Sequence, residues 1–172
     1  MLEIQSDIQQ RISEELSDCG YYQMHIEYHQ TSIFDHRILE AMSQVVQKGL
    51  HQFNAMTKLL DSLCSTSEVE KCFLFEGDSK ICLASDSSPT DSVSMQLGND
   101  GMDLVDDFVS IYGSSSRDTF CTIRLSGGVV LFFKRVLDLV LVCILKDESN
   151  IKIGGLEYNL EIVAQVISAL FS

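Results

Sequence analysis

The chain has 172 residues, of which 45% are hydrophobic and 22% are charged, and its formal net charge is −13 at pH 7. This length suits one domain, or one small domain with an appendage, and the composition is that of a globular protein. The acidic balance argues against binding to nucleic acid or to anionic membrane surfaces, since both attract basic proteins.

The first 50 residues predict a helix, a strand and a second helix. Apolar side chains recur every four residues from Ile4 to Leu16, which indicates an amphipathic helix over residues 2–18. Residues 23–30 alternate apolar and polar side chains, as a strand with one exposed face does. Residues 36–50 return to helical spacing. The apolar face predicted for this second helix contains Ile38, Met42, Val45 and Gly49, with Leu39 and Val46 beside them.

A helix over residues 53–64 follows, and then the pattern changes to short strands. Residues 72–75 and 81–84 predict a hairpin, and a polar loop over residues 86–91 contains the only proline. Three helix-weakening residues then delay the next predicted helix to about residues 100–112; they are Gly98, Asn99 and Gly101. One apolar stripe of that helix contains Met102, Val105, Val109 and Tyr112.

The stretch from residue 118 to residue 148 is the most apolar part of the chain and predicts three antiparallel strands. Gly127-Gly128 marks the first hairpin turn, because glycine accepts the positive φ of tight turns. The charged pair Lys134-Arg135 is the predicted second break. The third run is apolar on both sides, which is typical of a central strand covered on both faces. Its longest uninterrupted apolar run, Leu139–Leu145, is far shorter than the roughly 20 residues of a membrane-spanning helix.

A final helix over residues 155–171 completes the order α–β–β–α–β–β–β–α from residue 53 onward. This order predicts an α/β (α+β) domain, with a five-stranded antiparallel sheet, one helix on one face and two on the other. The six cysteines are scattered without a C-x-x-C pair, which is typical of reduced core thiols.

The usual signatures of catalysis and metal binding are absent from the sequence. His25 and His29 would lie about 13 Å apart in a strand, too far for one shared zinc ion, so no metal site is predicted. The acidic residues Asp103, Asp106 and Asp107 are typical of a solvated helix face, although paired carboxylates can also act as acid and base. No G-x-S-x-G and no G-x-x-x-x-G-K-[ST] motif occurs.

Several longer motifs resemble one family. The run Thr31-Ser32-Ile33-Phe34-Asp35-His36, continued by Ser43 to Lys48, resembles the last guanine-recognition motif and last helix of the Rag small GTPases, in their RagC/RagD branch. The loop Asp86-Ser87-Ser88-Pro89-Thr90-Asp91 and the strand end Val142 to Ser149 resemble that branch's C-terminal domain. These two motifs are specific, and the resemblance extends over almost the whole chain.

The resemblance implies a roadblock/longin-like fold for residues 53–172. Residues 1–52 would then be the helix–strand–helix remnant of a GTPase domain. Thr31, Ser32 and Ile33 match the minor guanine-contacting motif, which is insufficient alone. The GTP or GDP and the magnesium ion of the full-length family would need residues that this sequence does not contain. No catalysis by this chain is expected.

The resemblance also implies a function in assembly. Roadblock domains pair through an edge strand and the preceding helix, which maps the interface onto Met102, Val105, Val109, Tyr112, Phe120, Thr122 and Arg124. The expected partners are the C-terminal domain of a RagA/B-type GTPase and a Ragulator-type roadblock scaffold. Such a complex would be cytoplasmic, would be recruited to the lysosomal or vacuolar surface through its partners, and would relay amino-acid sufficiency to TOR. Two alternatives stay open: part of a GTP-hydrolysing protein with its nucleotide site upstream, or a scaffold or sensor subunit.

Overall fold

The computed structural model describes residues 2–22, 24, 26–32, 37–89, 91–112, 120–146 and 153–171. The helices are α1 (Leu2–Asp18), α2 (Arg37–Gly49), α3 (Phe53–Ser67), α4 (Ser92–Tyr112) and α5 (Ile153–Leu170). The strands are β1 (Lys71–Glu76), β2 (Cys82–Ser85), β3 (Phe120–Arg124), β4 (Val129–Val136) and β5 (Leu139–Lys146). By their contacts the residues fall into two units, Met1–Gln30 and Thr31–Ser172.

The five strands form one antiparallel sheet in the order β2-β1-β5-β4-β3. This confirms the predicted sheet and the central position of its most apolar strand. Every residue of β5 except Lys146 is buried, because β1 and β4 flank the strand and helices cover both of its faces.

The sheet separates two apolar clusters. The first cluster lies under α3 and α5, where Leu60 and Ile167 are fully buried, and Val46 of α2 and the following Leu50 pack at its margin. The second cluster lies under α4 and includes Met95 and Met102. One helix therefore covers one face and two helices cover the other, as the sequence predicts.

The strand predicted over residues 23–30 is wrong for residues 24 and 26–30, which the structure describes without a strand. Alternation alone does not make a strand, because an extended segment needs a neighbour to pair with its backbone groups. The unit to which this segment belongs contains α1, whose residues Ile4, Ile8 and Ile12 are exposed. The predicted division at residue 52, between a GTPase-domain remnant and the roadblock-like domain, stays a prediction. By its contacts α2 belongs with the sheet.

Two other boundaries differ from the expectation. The second hairpin turns at Leu137-Asp138 and not at Lys134-Arg135, because Val136 pairs directly with Leu139. Lys134 and Arg135 stay within β4, where they pair with Leu141 and Val140 of β5, and their cations reach carboxylates on neighbouring helices. Gly127-Gly128 does form the first turn, and Gly128 has the expected positive φ of 75°.

Candidate functional site

The strand β3 is one edge of the sheet. Its five residues pair in register with β4, from Phe120 opposite Lys134 to Arg124 opposite Val130. The other side of β3 pairs with no strand in the described ranges. An unpaired edge presents a row of backbone donors and acceptors to which a strand from another chain can be added.

The predicted interface groups residues of β3 with residues of α4, but the two sets lie on different faces of the sheet. Cys121 and Ile123 pack against the second cluster, on the face that α4 covers. Phe120 packs against the first cluster, with its ring centroid 5.6 Å from that of Phe132. Because strand residues alternate between faces, Thr122 and Arg124 lie on the face of Phe120. The predicted strand residues therefore lie on the opposite face from the helix residues that were grouped with them.

Helix α4 starts at Ser92, eight residues before the predicted start. An N-terminal cap and close packing against the sheet favour this longer helix. The Asp91 carboxylate accepts hydrogen bonds from the Ser94 backbone N–H (2.7 Å) and the Ser94 hydroxyl (2.9 Å), which is an N-terminal cap. The pKa of Asp91 is lowered, first by the Ser94 backbone hydrogen bond and then by the Ser94 hydroxyl. Gly98 and Gly101, which disfavour a helix in isolation, lie where α4 meets aromatic side chains of the sheet.

The glycines also set the direction in which α4 crosses the sheet. A Cβ atom at Gly98 would lie 3.2 Å from the ring of Phe75 in β1, and one at Gly101 would lie 2.4 Å from the ring of Phe133 in β4. Since β5 lies between these two strands, α4 crosses the sheet from the β1 side toward β3. Its last three turns follow this crossing.

Exposed apolar side chains form one stripe along those last turns, beside exposed carboxylates. The α4 ridge consists of Leu104, Phe108, Ile111 and Tyr112, which are all exposed. Phe108 and Ile111 are 57% and 73% exposed, and the rings of Phe108 and Tyr112 are in contact, tilted by 35° with their centroids 4.6 Å apart. Such a concentration of large apolar side chains beside a free sheet edge is typical of a protein–protein interface.

The predicted helix residues divide between this ridge and the core. Met102 is 3% exposed and belongs to the second cluster, so it supports the sheet. Val105 and Val109 are half-buried, and Tyr112 is exposed and belongs to the ridge. Sequence reasoning missed Leu104, Phe108 and Ile111, although their spacing of four and three residues forms a second apolar stripe. The glycines were the available signal, because they mark the face that lies against the sheet.

The residues predicted to touch guanine are only partly described. Thr31 is exposed and Ser32 is half-buried, both without regular secondary structure, while Ile33 lies outside the described residues. His25 also lies outside them, and His29 is 3.7 Å from Glu27. The described residues contain no group of three His, Cys, Asp or Glu side chains arranged for a metal ion.

Acidic side chains of α4 form ion pairs, and several of the thiols are buried in the core. Asp103 pairs with Lys80, and Asp106 lies 3.7 Å from Arg135. Cys72 and Cys143 are buried with their sulfur atoms 3.4 Å apart, and desolvation by burial is the main reason why the pKa of Cys72 is raised. Burial also raises the pKa of Cys82 to about 12. Thiols of this kind are poor nucleophiles, because the thiolate is the reactive form.

No helix among the described residues is long and apolar enough to cross a bilayer.

Comparison with known proteins shows relatives along almost the whole chain. Residues 1–111 match the family model described as the Gtr1/RagA G protein conserved region. The chain is 41% identical to the GTP-binding protein gtr2 of Schizosaccharomyces pombe over 183 residues, which is 99% of this chain and 58% of that protein. It is 39% identical to human Ras-related GTP-binding protein C over 179 residues, which is 99% of this chain and 45% of that protein.

Comparison of the structures supports the fold. A roadblock/LC7 domain from Streptomyces avermitilis superimposes with a TM-score of 0.55 at 12% identity, covering 67% of this chain and 96% of that domain. The roadblock-like fold that the motifs implied is thereby confirmed. The matched family model and the two relatives together show that the chain belongs to the Gtr1/RagA family of G proteins, in the branch of gtr2 and Ras-related GTP-binding protein C.

Proposed function

We propose that this chain is the heterodimerisation module of a RagC/D-type Rag GTPase. Its partner would be the C-terminal domain of a RagA/B-type GTPase, bound at the β3 edge and the α4 ridge. The observation that supports this most is the position of an exposed apolar ridge beside the unpaired edge of the sheet. Family membership supports the class of the partner.

The two features provide different parts of the binding free energy. A partner strand on β3 would pair with the backbone groups on the side of β3 that faces no other strand of the described sheet, and it would fix the register and direction of pairing. The α4 ridge would provide apolar burial, at about 1.5–3 kcal/mol for each large side chain removed from water. Much of this gain offsets the rigid-body entropy lost on association, so a few ridge residues should dominate the affinity.

The test is to mix the chain with the C-terminal domain of a RagA/B-type protein and to measure sedimentation velocity. We expect a 1:1 complex that Phe108→Asp weakens at least 100-fold, because burying a carboxylate in an apolar contact is strongly unfavourable. Val93→Asp is the control, since Val93 is also apolar and exposed but lies in the first turn of α4. A chain that stays monomeric beside this partner, or two variants with equal effects, would contradict the proposal.

In this proposal the chain contributes assembly and not catalysis. The GTP or GDP and the magnesium ion of the full-length family would bind to residues outside this sequence, because the sequence contains no G-x-x-x-x-G-K-[ST] phosphate loop. Thr31, Ser32 and Ile33 alone would provide too few contacts to hold a nucleotide. Calorimetric titration with GTP and magnesium should show no binding heat, and micromolar affinity would refute this part.

The wider role that we propose is support of amino-acid signalling to TOR at the lysosomal or vacuolar surface. The resemblance of the motifs to the Rag family supports it, and the heterodimer would bind a Ragulator-type roadblock scaffold. A tagged chain should concentrate at that membrane only when both the partner GTPase and the scaffold are present. Concentration there without the scaffold would contradict this recruitment.

A further inference from the structure

The sheet has a second edge, the strand β2, and this edge is covered. The hydrogen-bonding groups of Cys82 that point away from β1 are bonded to two side chains of α2. The Cys82 backbone N–H donates to the Ser43 hydroxyl oxygen at 2.8 Å, and the Gln47 side-chain amide donates to the Cys82 carbonyl oxygen at 2.9 Å. Both groups that a neighbouring strand would use at this residue are therefore occupied.

The covering helix is held firmly in place. Ser43 is only 1% exposed, and its hydroxyl donates to the Leu39 carbonyl oxygen at 2.7 Å, so its oxygen is oriented to accept from Cys82. Val46 of α2 and Leu50, which follows the helix, also pack against the first cluster. The inward face of α2 thus presents polar and apolar side chains that match the edge strand and the core margin.

The arrangement imitates a strand. In an antiparallel pair, two residues opposite each other exchange two bonds, one in each direction. Ser43 and Gln47, which lie one helical turn apart, present the same acceptor and donor to Cys82 without an extended backbone. A helix covering an edge in this way removes the template that an unpaired strand offers to other chains.

We propose that α2 is an edge guard, which closes β2 and confines extension of the sheet to β3. This inference goes beyond the proposed heterodimer and does not depend on it. Without the guard, β2 would pair with β2 of a second copy, because a twofold axis lets the same outward groups of Cys82 serve both chains. The strand suits such pairing, since Cys82, Leu83 and Ala84 are apolar and Pro is absent from it.

The test compares variants of α2 in the full 172-residue chain. In the variant Ser43→Ala/Gln47→Leu, both contacts to Cys82 are lost while helix-forming residues are kept. Gln44→Leu is the matched control, since Gln44 lies on the exposed side of the same helix. Ser43→Ala alone is a gentler variant, because it removes the acceptor of the Cys82 backbone N–H and leaves the Gln47 contact in place.

Hydrogen exchange of the Cys82 amide reports whether the edge is open, and sedimentation velocity reports self-association. We expect the double variant to exchange this amide at least tenfold faster and to associate beyond the state of the unaltered chain at equal concentration. The same association should persist when Phe108→Asp is added, which separates the β2 edge from the α4 ridge. Gln44→Leu should change neither measurement.

Two results would overturn the edge guard. One is an unchanged association state in the double variant although the Cys82 amide exchanges faster. The other is a Cys82 amide that stays protected in both the double variant and Ser43→Ala, which would mean that α2 is not what covers the edge. Circular dichroism of each variant is the control that tests whether the helices are retained.

Discussion

Gly101 shows how one residue positions the α4 ridge. The absence of a side chain lets α4 approach Phe133, which is 2% exposed and closely packed. Its helix-weakening tendency led sequence analysis to start the helix too late, because propensity is a local quantity and the close approach is a tertiary one. Nothing near residue 101 in the sequence indicates that Phe133 would lie above it.

Gly101→Ala should destabilise the chain by about 1–3 kcal/mol, since a methyl group would overlap the Phe133 ring and overpacking costs more than the gain in helix propensity. Urea unfolding monitored by circular dichroism measures the change. Gly154→Ala is the control, because a Cβ atom at Gly154 in α5 meets no atom within 4 Å. Equal stability of the two variants would show that the α4–β4 contact is looser than described.

Asp91 gives a pH dependence at the start of α4. Its folded pKa lies below its ordinary value of 3.8, because Ser94 donates two hydrogen bonds to the ionised carboxylate. A carboxylate with a lowered folded pKa stabilises the fold at pH values above its unfolded pKa, and that stabilisation is lost as pH falls through the folded pKa.

Asp91→Ala should therefore lower the free energy of unfolding by about 1 kcal/mol at pH 7, as loss of a helix cap does. The difference from the unaltered chain should shrink as the pH falls below 3.8 and the carboxylate becomes protonated. Urea denaturation at pH 7 and at pH 2.5 tests this. A difference that is the same at both pH values would mean that the charge of Asp91 contributes nothing to the cap.

At the scale of elements, the sequence predicted which strands of the sheet form better than it predicted which face of each helix points toward the sheet. The five strands and the central place of β5 follow from apolar runs and turn residues, which are local signals. The inward face of α2 was not predictable in this way, because Ile38, Met42 and Val45 form the obvious apolar stripe but are exposed. The structure turns Ser43 and Gln47 inward instead, since the edge of β2 offers polar backbone groups as well as apolar surface.

The interface residues of α4 and β3 were also difficult to predict, because the sequence does not show which face of each element lies against the sheet core. Two apolar stripes run along α4, and periodicity cannot tell which one faces the sheet. The family resemblance mapped the interface onto Phe120, Thr122 and Arg124 of β3, but the resemblance does not show which face of β3 is covered by α4. Only the structure pairs Cys121 and Ile123 with the helix face.

At the scale of the whole molecule, α2 belongs with the sheet. A chain that starts at Thr31 retains α2 and should unfold at the same temperature as the second unit of the full chain. A chain that starts at Phe53 loses the packing of Val46 and Leu50 and the two side-chain bonds to Cys82. It should therefore have a lower melting temperature, by several degrees. Differential scanning calorimetry compares the two, and equal melting temperatures would contradict the role of α2.

The central claim is that the chain pairs with its partner through β3 and the α4 ridge. The most direct measurement is amide hydrogen exchange of the chain alone and in complex with the C-terminal domain of a RagA/B-type protein. We predict that amides of β3 and of the last turns of α4 become protected, while those of β2 do not change. Protection at β2 or on the outer face of α5, with β3 unchanged, would contradict the claim.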